Sequence, residues 1–207
     1  MNFVAPLHRR LSLVSNLIHA AKSSKISLIG KNSDELAAAL SLENSPLEQA
    51  DGAIFLVSAE VGIVTADIAS WHTARELYIP SLVVISDLTS SEIDFEDMSA
   101  IASKMLDPVV TPYLVLHGDD GSAAALIDLE TLTIFDFSSG VALESPASSE
   151  HIELVAEFRE EYLEQISGAG EASFEAGLLF PAIPWVPVNG IGLTQISKYL
   201  DLIPAVS

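Results

Sequence analysis

Short runs of consecutive apolar residues alternate along the chain with segments in which apolar residues recur every three to four positions. Three of these runs have the length of a buried strand: residues 26–29, 53–57 and 82–85. The segments after them predict helices: residues 33–40, 65–78 and 92–106. Alternation of strand and helix is typical of a parallel sheet with right-handed crossovers, so the predicted class is α/β. Residues 113–116 predict a further strand of the same sheet.

The pattern changes after residue 117. Two predicted strands lie at 125–128 and 131–137, loops at 138–140 and 144–146, and helices at 149–166 and 173–179. Residues 183–188 predict a returning strand, in an edge or terminal position because it contains Pro184 and Pro187. A last helix follows over 192–204. The predicted organisation is an arm of residues 1–25, an α/β core of 26–117 and 181–207, and an insertion of 118–180.

Composition indicates a folded chain. Of the 207 residues 49% are apolar and 18% are charged, and the mean hydropathy is +0.40, far from the profile of a disordered protein. No apolar run approaches the roughly 20 residues of a spanning helix, so no membrane contact is predicted. The pair Arg9-Arg10 suggests a twin-arginine leader, but no long apolar core follows it, which favours a cytoplasmic location.

The charge is strongly asymmetric. The net charge is −20, which argues against duplex nucleic acid as a partner of the whole molecule. Residues 1–31 carry +5 with no acidic residue, and the remaining residues carry −25. Within this basic segment, Leu11, Val14, Leu17, Ile18 and Ala21 follow a helical spacing. The arm then binds an anionic partner such as RNA, docks on its own acidic body, or is solvated.

Several segments resemble the GTPase domain of the elongation factor G-like translational GTPases. Residues 51–62, DGAIFLVSAEVG, resemble the strand and loop after switch II. The likeness continues through Trp71, 79–80 (IP), 82–85 (LVVI), 94–95 (DF), 126–129 (LIDL), 135–140 (FDFSSG), 180–184 (FPAIP) and 190–193 (GIGL). It covers residues 26–204 and is most specific over 51–140. It implies a three-layer, mostly parallel sheet of the P-loop GTPase type with an α+β insertion of the elongation factor G type.

The phosphate-binding loop of that family is missing. Such a loop needs G-x-x-x-x-G-K-[ST], because its glycines let successive backbone N–H groups surround the phosphates. The sequence has one Gly-Lys pair, Gly30-Lys31; it is followed by Asn32, and Lys25 stands where the first glycine is needed. The resemblance is therefore to a truncated, degenerate GTPase domain that lacks the P-loop.

Two further family motifs survive only as remnants. The resemblance aligns switch II with Gly30, Lys31, Asn32 and Ser33, which keep none of its residues. It aligns the guanine-specificity motif with residues 86–89, where the remnants are Ser86, Asp87 and Thr89. Guanine recognition depends on a carboxylate that accepts two hydrogen bonds, and the hydroxyl of Thr89 cannot supply that pair of acceptors. GTP hydrolysis is therefore not expected.

No other chemistry stands out. Four glutamates on one face of the predicted 149–166 helix, Glu157, Glu160, Glu161 and Glu164, are typical of a solvated surface, and the five histidines lack metal-site spacing. Trp71 and Trp185 are expected in the core. The sequence predicts no catalytic residue, no cofactor and no metal site, so the chain is not expected to be an enzyme.

The expected function is a non-catalytic binding or regulatory module. Its partner would be another protein or a second copy, because the lost switch regions leave apolar sheet surface that the 37–39 helix or a dimer must cover. The alternative is a translation-associated factor that contacts the ribosome or a full-length translational GTPase through Arg9, Arg10, Lys22 and Lys25. Residual nucleotide binding in a rebuilt pocket is a third possibility.

Overall fold

Four parallel strands form one sheet of the protein. The structure is a computed structural model and describes residues 24–89, 92–140, 142–170 and 172–204, so residues 1–23 of the predicted arm lie outside it. The sheet order is β1-β2-β3-β8, with all neighbouring pairs parallel. The strands are β1 Ile26–Gly30, β2 Gly52–Ser58, β3 Ser81–Ser86 and β8 Ala182–Pro184.

The central strands are apolar along their whole length because both of their faces are covered. Every residue of β2 and β3 is buried, as expected for a parallel sheet between helices. The helices that belong to this part are α1 Ser33–Leu40, α2 Thr65–Glu76, α3 Phe95–Met105 and α6 Leu193–Leu200, with a 3-10 helix at Leu47–Gln49. Helix α1, which carries Ala37 to Ala39, packs on β1 and α6, and α2 packs on β1 and β2. The predicted alternation of strand and helix is confirmed here.

Trp71 joins α2 to the sheet and to the segment before β8. Its side chain is fully buried, and its ring makes edge-to-face contacts with Phe55 (4.9 Å between centroids) and Phe180 (5.0 Å). The indole N–H donates to Asp107 at 2.8 Å. Trp185 is also buried, so both tryptophans are core aromatics, as predicted.

A second, antiparallel sheet has the order β4-β5-β6-β7. Its strands are β4 Tyr113–His117, β5 Ala123–Asp128, β6 Thr133–Asp136 and β7 Leu143–Pro146. The expectation that β4 continues the parallel sheet is wrong, because β4 pairs antiparallel with β5. Only a tight turn separates these two strands, whereas parallel pairing needs a long crossover. The predicted boundary after residue 117 therefore separates β4 from the strand it pairs with.

Other predicted elements also differ from the structure. The strand expected over 183–188 is Ala182–Pro184, so Pro187 lies outside it. Residues 144–146, expected in a loop, belong to β7, an exposed edge strand whose polar residues gave no apolar signal. The predicted 149–166 helix is two helices, α4 Ser149–Leu154 and α5 Ala156–Ala169, because the chain turns at the buried Val155. The predicted 173–179 helix is a series of turns.

The two edges of the parallel sheet are formed by β1 and β8. Pro184 lies in β8, as predicted from the restriction of proline to edge strands. At the other edge, the Asn44 side chain accepts from the Leu28 N–H (2.9 Å) and donates to the Leu28 carbonyl (3.1 Å). One amide thus satisfies backbone groups that a neighbouring strand would otherwise pair. No helix in the described parts of the chain is long and apolar enough to cross a membrane.

Candidate site at the carboxyl ends of the parallel strands

Polar side chains from three neighbouring strands meet where those strands end. Lys31 and Asn32 follow β1, Ser58 ends β2 with Glu60 two residues later, and Asp87 follows β3. Because β1, β2 and β3 are parallel, their carboxyl ends lie at the same edge of the sheet. This edge is where open α/β sheets usually bind ligands.

Asp87 is the centre of the cluster. The hydroxyl of Ser58 donates to its Oδ2 at 2.5 Å, and the Asn32 amide donates to both carboxylate oxygens at 3.2 and 3.4 Å. Burial by itself would raise the pKa of Asp87, but the hydrogen bonds from Ser58, Lys31 and Asn32 outweigh it and hold the pKa below its ordinary value. The negative charge of Asp87 is therefore stabilised by neighbouring side chains of the protein itself.

Lys31 is held between two carboxylates. Its ammonium lies 2.9 Å from Glu60 Oε2 and 3.2 Å from Asp87 Oδ2. Hydrogen bonds to Glu60 and then to Asp87 raise the pKa of Lys31 above its ordinary value. The three groups together carry a net charge of −1, so this edge offers no net positive charge to an anionic ligand. We refer to Lys31, Asn32, Ser58, Glu60 and Asp87 as the strand-end cluster.

The backbone around the cluster is tightly folded. Gly30 has φ +110°, and a Cβ atom there would run into the carbonyl of Leu56 on the neighbouring strand. Asn32 and Asp87 also have positive φ, at 67° and 59°, a conformation that Asn and Asp tolerate better than most residues. Lys31 and Asn32 are the only residues between β1 and α1. A strand, a loop and a helix in this order form the setting of a P-loop, but two residues are too few for that motif.

The structure brings together some of the residues that the sequence singled out. Lys31, Asn32 and Asp87 share the cluster, while Ser86 is buried at the end of β3 and its hydroxyl has no hydrogen-bond partner among the described residues. Gly30 ends β1 and Ser33 begins α1, and Thr89 lies in a separate cleft.

Ser58 and Glu60 were not predicted as site residues. Ser58 directly follows the apolar run 53–57 and Glu60 lies two residues further on. Polar residues at the carboxyl end of a parallel strand were the signal that could have found them.

The cleft beside Thr89 has a volume of about 400 Å³ and separates the β3–α3 connection from the β4–β5 turn. Its lining includes the carboxylates Glu92, Asp94 and Asp120 and the imidazole of His117. Asp94 accepts from the Asp97 N–H (2.8 Å) at the start of α3, and Asp120 accepts from the N–H and hydroxyl of Ser122 at 2.9 and 2.6 Å. These carboxylates stabilise a helix start and a turn, and their charge disfavours a phosphorylated ligand in the cleft.

Within the described ranges, no group of three or more His, Cys, Asp or Glu side chains is arranged to hold a metal ion. Among the acidic residues of α5, Glu161 accepts a hydrogen bond from the Gln165 side chain one turn later, at 3.2 Å.

The fold thus defines the class of α/β proteins that have a parallel sheet and a separate antiparallel sheet. Comparison with known proteins shows which members of this class are similar to the chain. No family model matches the chain. It is 23% identical over 136 residues to elongation factor G of Granulibacter bethesdensis, covering 64% of this chain and 20% of that protein. Its structure is similar to the crystal structure of ttk003000868 from Thermus thermophilus, with a TM-score of 0.64 and 25% identity, covering 77% of this chain and 27% of that one.

The chain therefore has a fold related to that of elongation factor G. The resemblance predicted from its apolar strands and the loops after them is confirmed at this level. The chain spans about a fifth of the length of the elongation factor G that it matches.

Proposed function

We propose that the protein is a non-catalytic binding or regulatory module built on an elongation factor G-related fold, without GTP hydrolysis. The observation that carries this proposal is the strand-end cluster. A phosphate site needs a free cation and free backbone N–H groups, and here the ammonium of Lys31 already contacts Glu60 and Asp87 at 2.9 and 3.2 Å.

The connection between β1 and α1 supports the same proposal. Its order of strand, loop and helix is the order in which a phosphate loop would lie. A loop of two residues cannot surround a diphosphate with successive N–H groups. A triphosphate placed beside Lys31 would also have to separate the ammonium from two carboxylates and then lie against their charges.

Residues 86–89, which the resemblance aligns with the guanine-specificity motif, do not supply a guanine site in place of the missing phosphate site. The only carboxylate among residues 86–89 is Asp87, which is occupied by Ser58, Asn32 and Lys31. Thr89 lines a cleft with an acidic rim. Residual nucleotide binding is therefore the least supported of the functions that the resemblance suggested.

Titration with fluorescent GTP and GDP analogues in the presence of Mg²⁺ tests this proposal. We expect no saturable change in fluorescence anisotropy at micromolar protein, whereas an intact elongation factor G under the same conditions should bind. Binding in the micromolar range that excess unlabelled GTP competes away would refute the proposal. Loss of that binding in Lys31→Ala would then assign the surviving site to the strand-end cluster.

The relationship to elongation factor G favours a second candidate, a factor that contacts the ribosome or a full-length translational GTPase. In this case we expect the full chain to co-sediment with ribosomes at low salt, since the basic residues Arg9, Arg10, Lys22 and Lys25 would contact RNA while the acidic body is repelled by it. Co-sedimentation should be lost when residues 1–25 are deleted. Absence of the full chain from the ribosome pellet at every salt concentration would reject this candidate.

A further inference from the structure

Three large apolar side chains are exposed together at the amino-terminal end of the parallel sheet. Leu77, Tyr78 and Leu178 are 51%, 66% and 57% exposed. They are neighbours because the backbone at Gly177 lies against Tyr78, so that a Cβ atom at Gly177 would come within 2.6 Å of the Tyr78 carbonyl oxygen. The guanidinium of Arg75 also donates to the Gly177 carbonyl. We call Leu77, Tyr78 and Leu178 the amino-end patch.

The patch lies at the end of the sheet where the chain enters it from residues 1–23. Tyr78 stands shortly before β3, and the N–H of Ala53 at the start of β2 donates to the Pro80 carbonyl at 2.9 Å. At the start of β1, the Lys25 N–H donates to Asp51 at 2.8 Å. Neighbouring strands are about 4.8 Å apart, so the start of β1 and the start of β3 are separated by only about 10 Å.

The charge of residues 1–23 is complementary to that of the rest of the chain. Residues 1–23 contain Arg9, Arg10 and Lys22 and no acidic residue, whereas residues 24–207 contain six basic and twenty-nine acidic residues. Glu76, which is exposed, is next to Leu77 in the chain. The protein body therefore attracts the 1–23 segment and repels a second copy of itself.

The apolar pattern of the segment is that of an amphipathic helix. Leu11, Val14, Leu17, Ile18 and Ala21 recur at helical spacing. A helix over these positions would be about 16 Å long, longer than the separation of about 10 Å between the starts of β1 and β3. An amphipathic helix of this kind gains by covering exposed apolar side chains, and its covalent link gives it a high effective concentration.

We propose that residues 1–23 dock on the amino-end patch of their own chain, with the apolar positions of the segment against Leu77, Tyr78 and Leu178 and its basic residues near the surrounding carboxylates. This inference does not depend on the proposed function, since the patch lies at the opposite end of the sheet from the strand-end cluster. The occupant is this segment of the same chain; a second copy and an undocked segment are outcomes that the experiment separates from it.

Distance measurements between introduced spin labels test the proposal, because the chain contains no cysteine that would need to be removed. One label replaces Ser15 and the other replaces either His72, an exposed residue of α2 near the patch, or Val61, at the carboxyl ends of the strands. We expect a narrow distribution of short distances to residue 72 and a longer mean distance to residue 61. Broad distributions that are similar for both pairs would overturn the proposal.

Two variants separate docking on the patch from contact with another part of the protein. Leu77→Lys/Leu178→Lys places like charge against the segment and should broaden the distribution to residue 72. Leu154→Lys, at an exposed leucine of α4 (66%), should leave it unchanged. An unchanged distribution in the double variant contradicts the proposal. Short distances that disappear when the labelled protein is diluted with unlabelled protein would identify a second copy as the occupant and also contradict it. Circular dichroism and urea unfolding establish that each variant is folded.

Discussion

Replacing Trp71 with alanine is expected to lower the free energy of unfolding by about 3–5 kcal/mol, the range measured when buried Trp or Phe residues are truncated. Trp71 is fully buried and contacts Phe55 in the sheet and Phe180 before β8. Its removal leaves a cavity between these rings. The substitution also removes the hydrogen bond from the indole N–H to Asp107. That carboxylate then keeps its ion pair with Arg75, at 3.1 Å.

Urea unfolding measures this change, provided that the slope of free energy against denaturant is the same for both proteins. Trp71→Phe should lose less, because it keeps an aromatic ring between Phe55 and Phe180 and gives up only the N–H and part of the volume. His72→Ala, an exposed neighbour on the same helix, is the matched control and should change stability by less than about 0.5 kcal/mol. Equal losses for Trp71→Ala and His72→Ala would contradict the role given to Trp71.

Replacing Asp87 with asparagine is expected to lower the free energy of unfolding at pH 7 by about 1–2 kcal/mol. Asparagine keeps the shape and tolerates the positive φ of 59°, so the loss reports the charge that Lys31, Asn32 and Ser58 contact. Hydrogen bonds to charged groups contribute about 1.5–3 kcal/mol, and the Asp87 side chain is 21% exposed, which reduces that contribution.

The difference between the two proteins should depend on pH in a defined direction. Because the pKa of Asp87 is lowered in the folded protein, its carboxyl group binds fewer protons folded than unfolded at intermediate pH, and stability rises with pH there. The stabilisation is fully present above the ordinary pKa of 3.8 and is lost as the pH falls through the lower folded value. Wild type and Asp87→Asn should therefore differ constantly from pH 7 to pH 5, and the difference should shrink as the pH falls below 3.8.

Unfolding curves at pH 7, 5 and 3 measure this convergence. Asp119→Asn is the matched control, since Asp119 is an exposed carboxylate in the β4–β5 turn. It should change stability little at any of these pH values. If the difference between wild type and Asp87→Asn were the same at pH 3 as at pH 7, the loss could not come from the charge of Asp87.

The strand-end cluster has a simple consequence for a fold related to elongation factor G. A ligand site at the end of a parallel sheet keeps polar groups ready for its ligand, and those groups cost free energy when nothing contacts them. Here Lys31, Glu60 and Asp87 contact one another, so the edge is stable without a ligand. A protein of this kind can keep the framework of the fold without a ligand at the carboxyl ends of its strands.

Much of the candidate site could be found from the sequence, although not its contacts. The Gly30-Lys31 pair and Asp87 stood out because they lie where family motifs are expected. That Lys31 contacts Asp87, 56 positions later, follows only from the parallel pairing of β1, β2 and β3, which places the residues after each strand side by side. Ser58 and Glu60 were missed for the same reason, since polar residues after one strand point to a site only together with the residues that follow the neighbouring strands.

The sequence by itself determined the elements whose signal is local and repeated: the buried strands β2 and β3, the helices between them, the edge position of Pro184 and the asymmetry between a basic amino-terminal segment and an acidic body. Tertiary structure decided which strand joins which sheet, as β4 shows, and which charges neutralise each other at the strand ends. The physical reason is the distance along the chain over which each interaction acts. Periodicity records how one segment meets the core, whereas pairing and ion contacts depend on segments that are distant in the chain and become neighbours only when the sheets form.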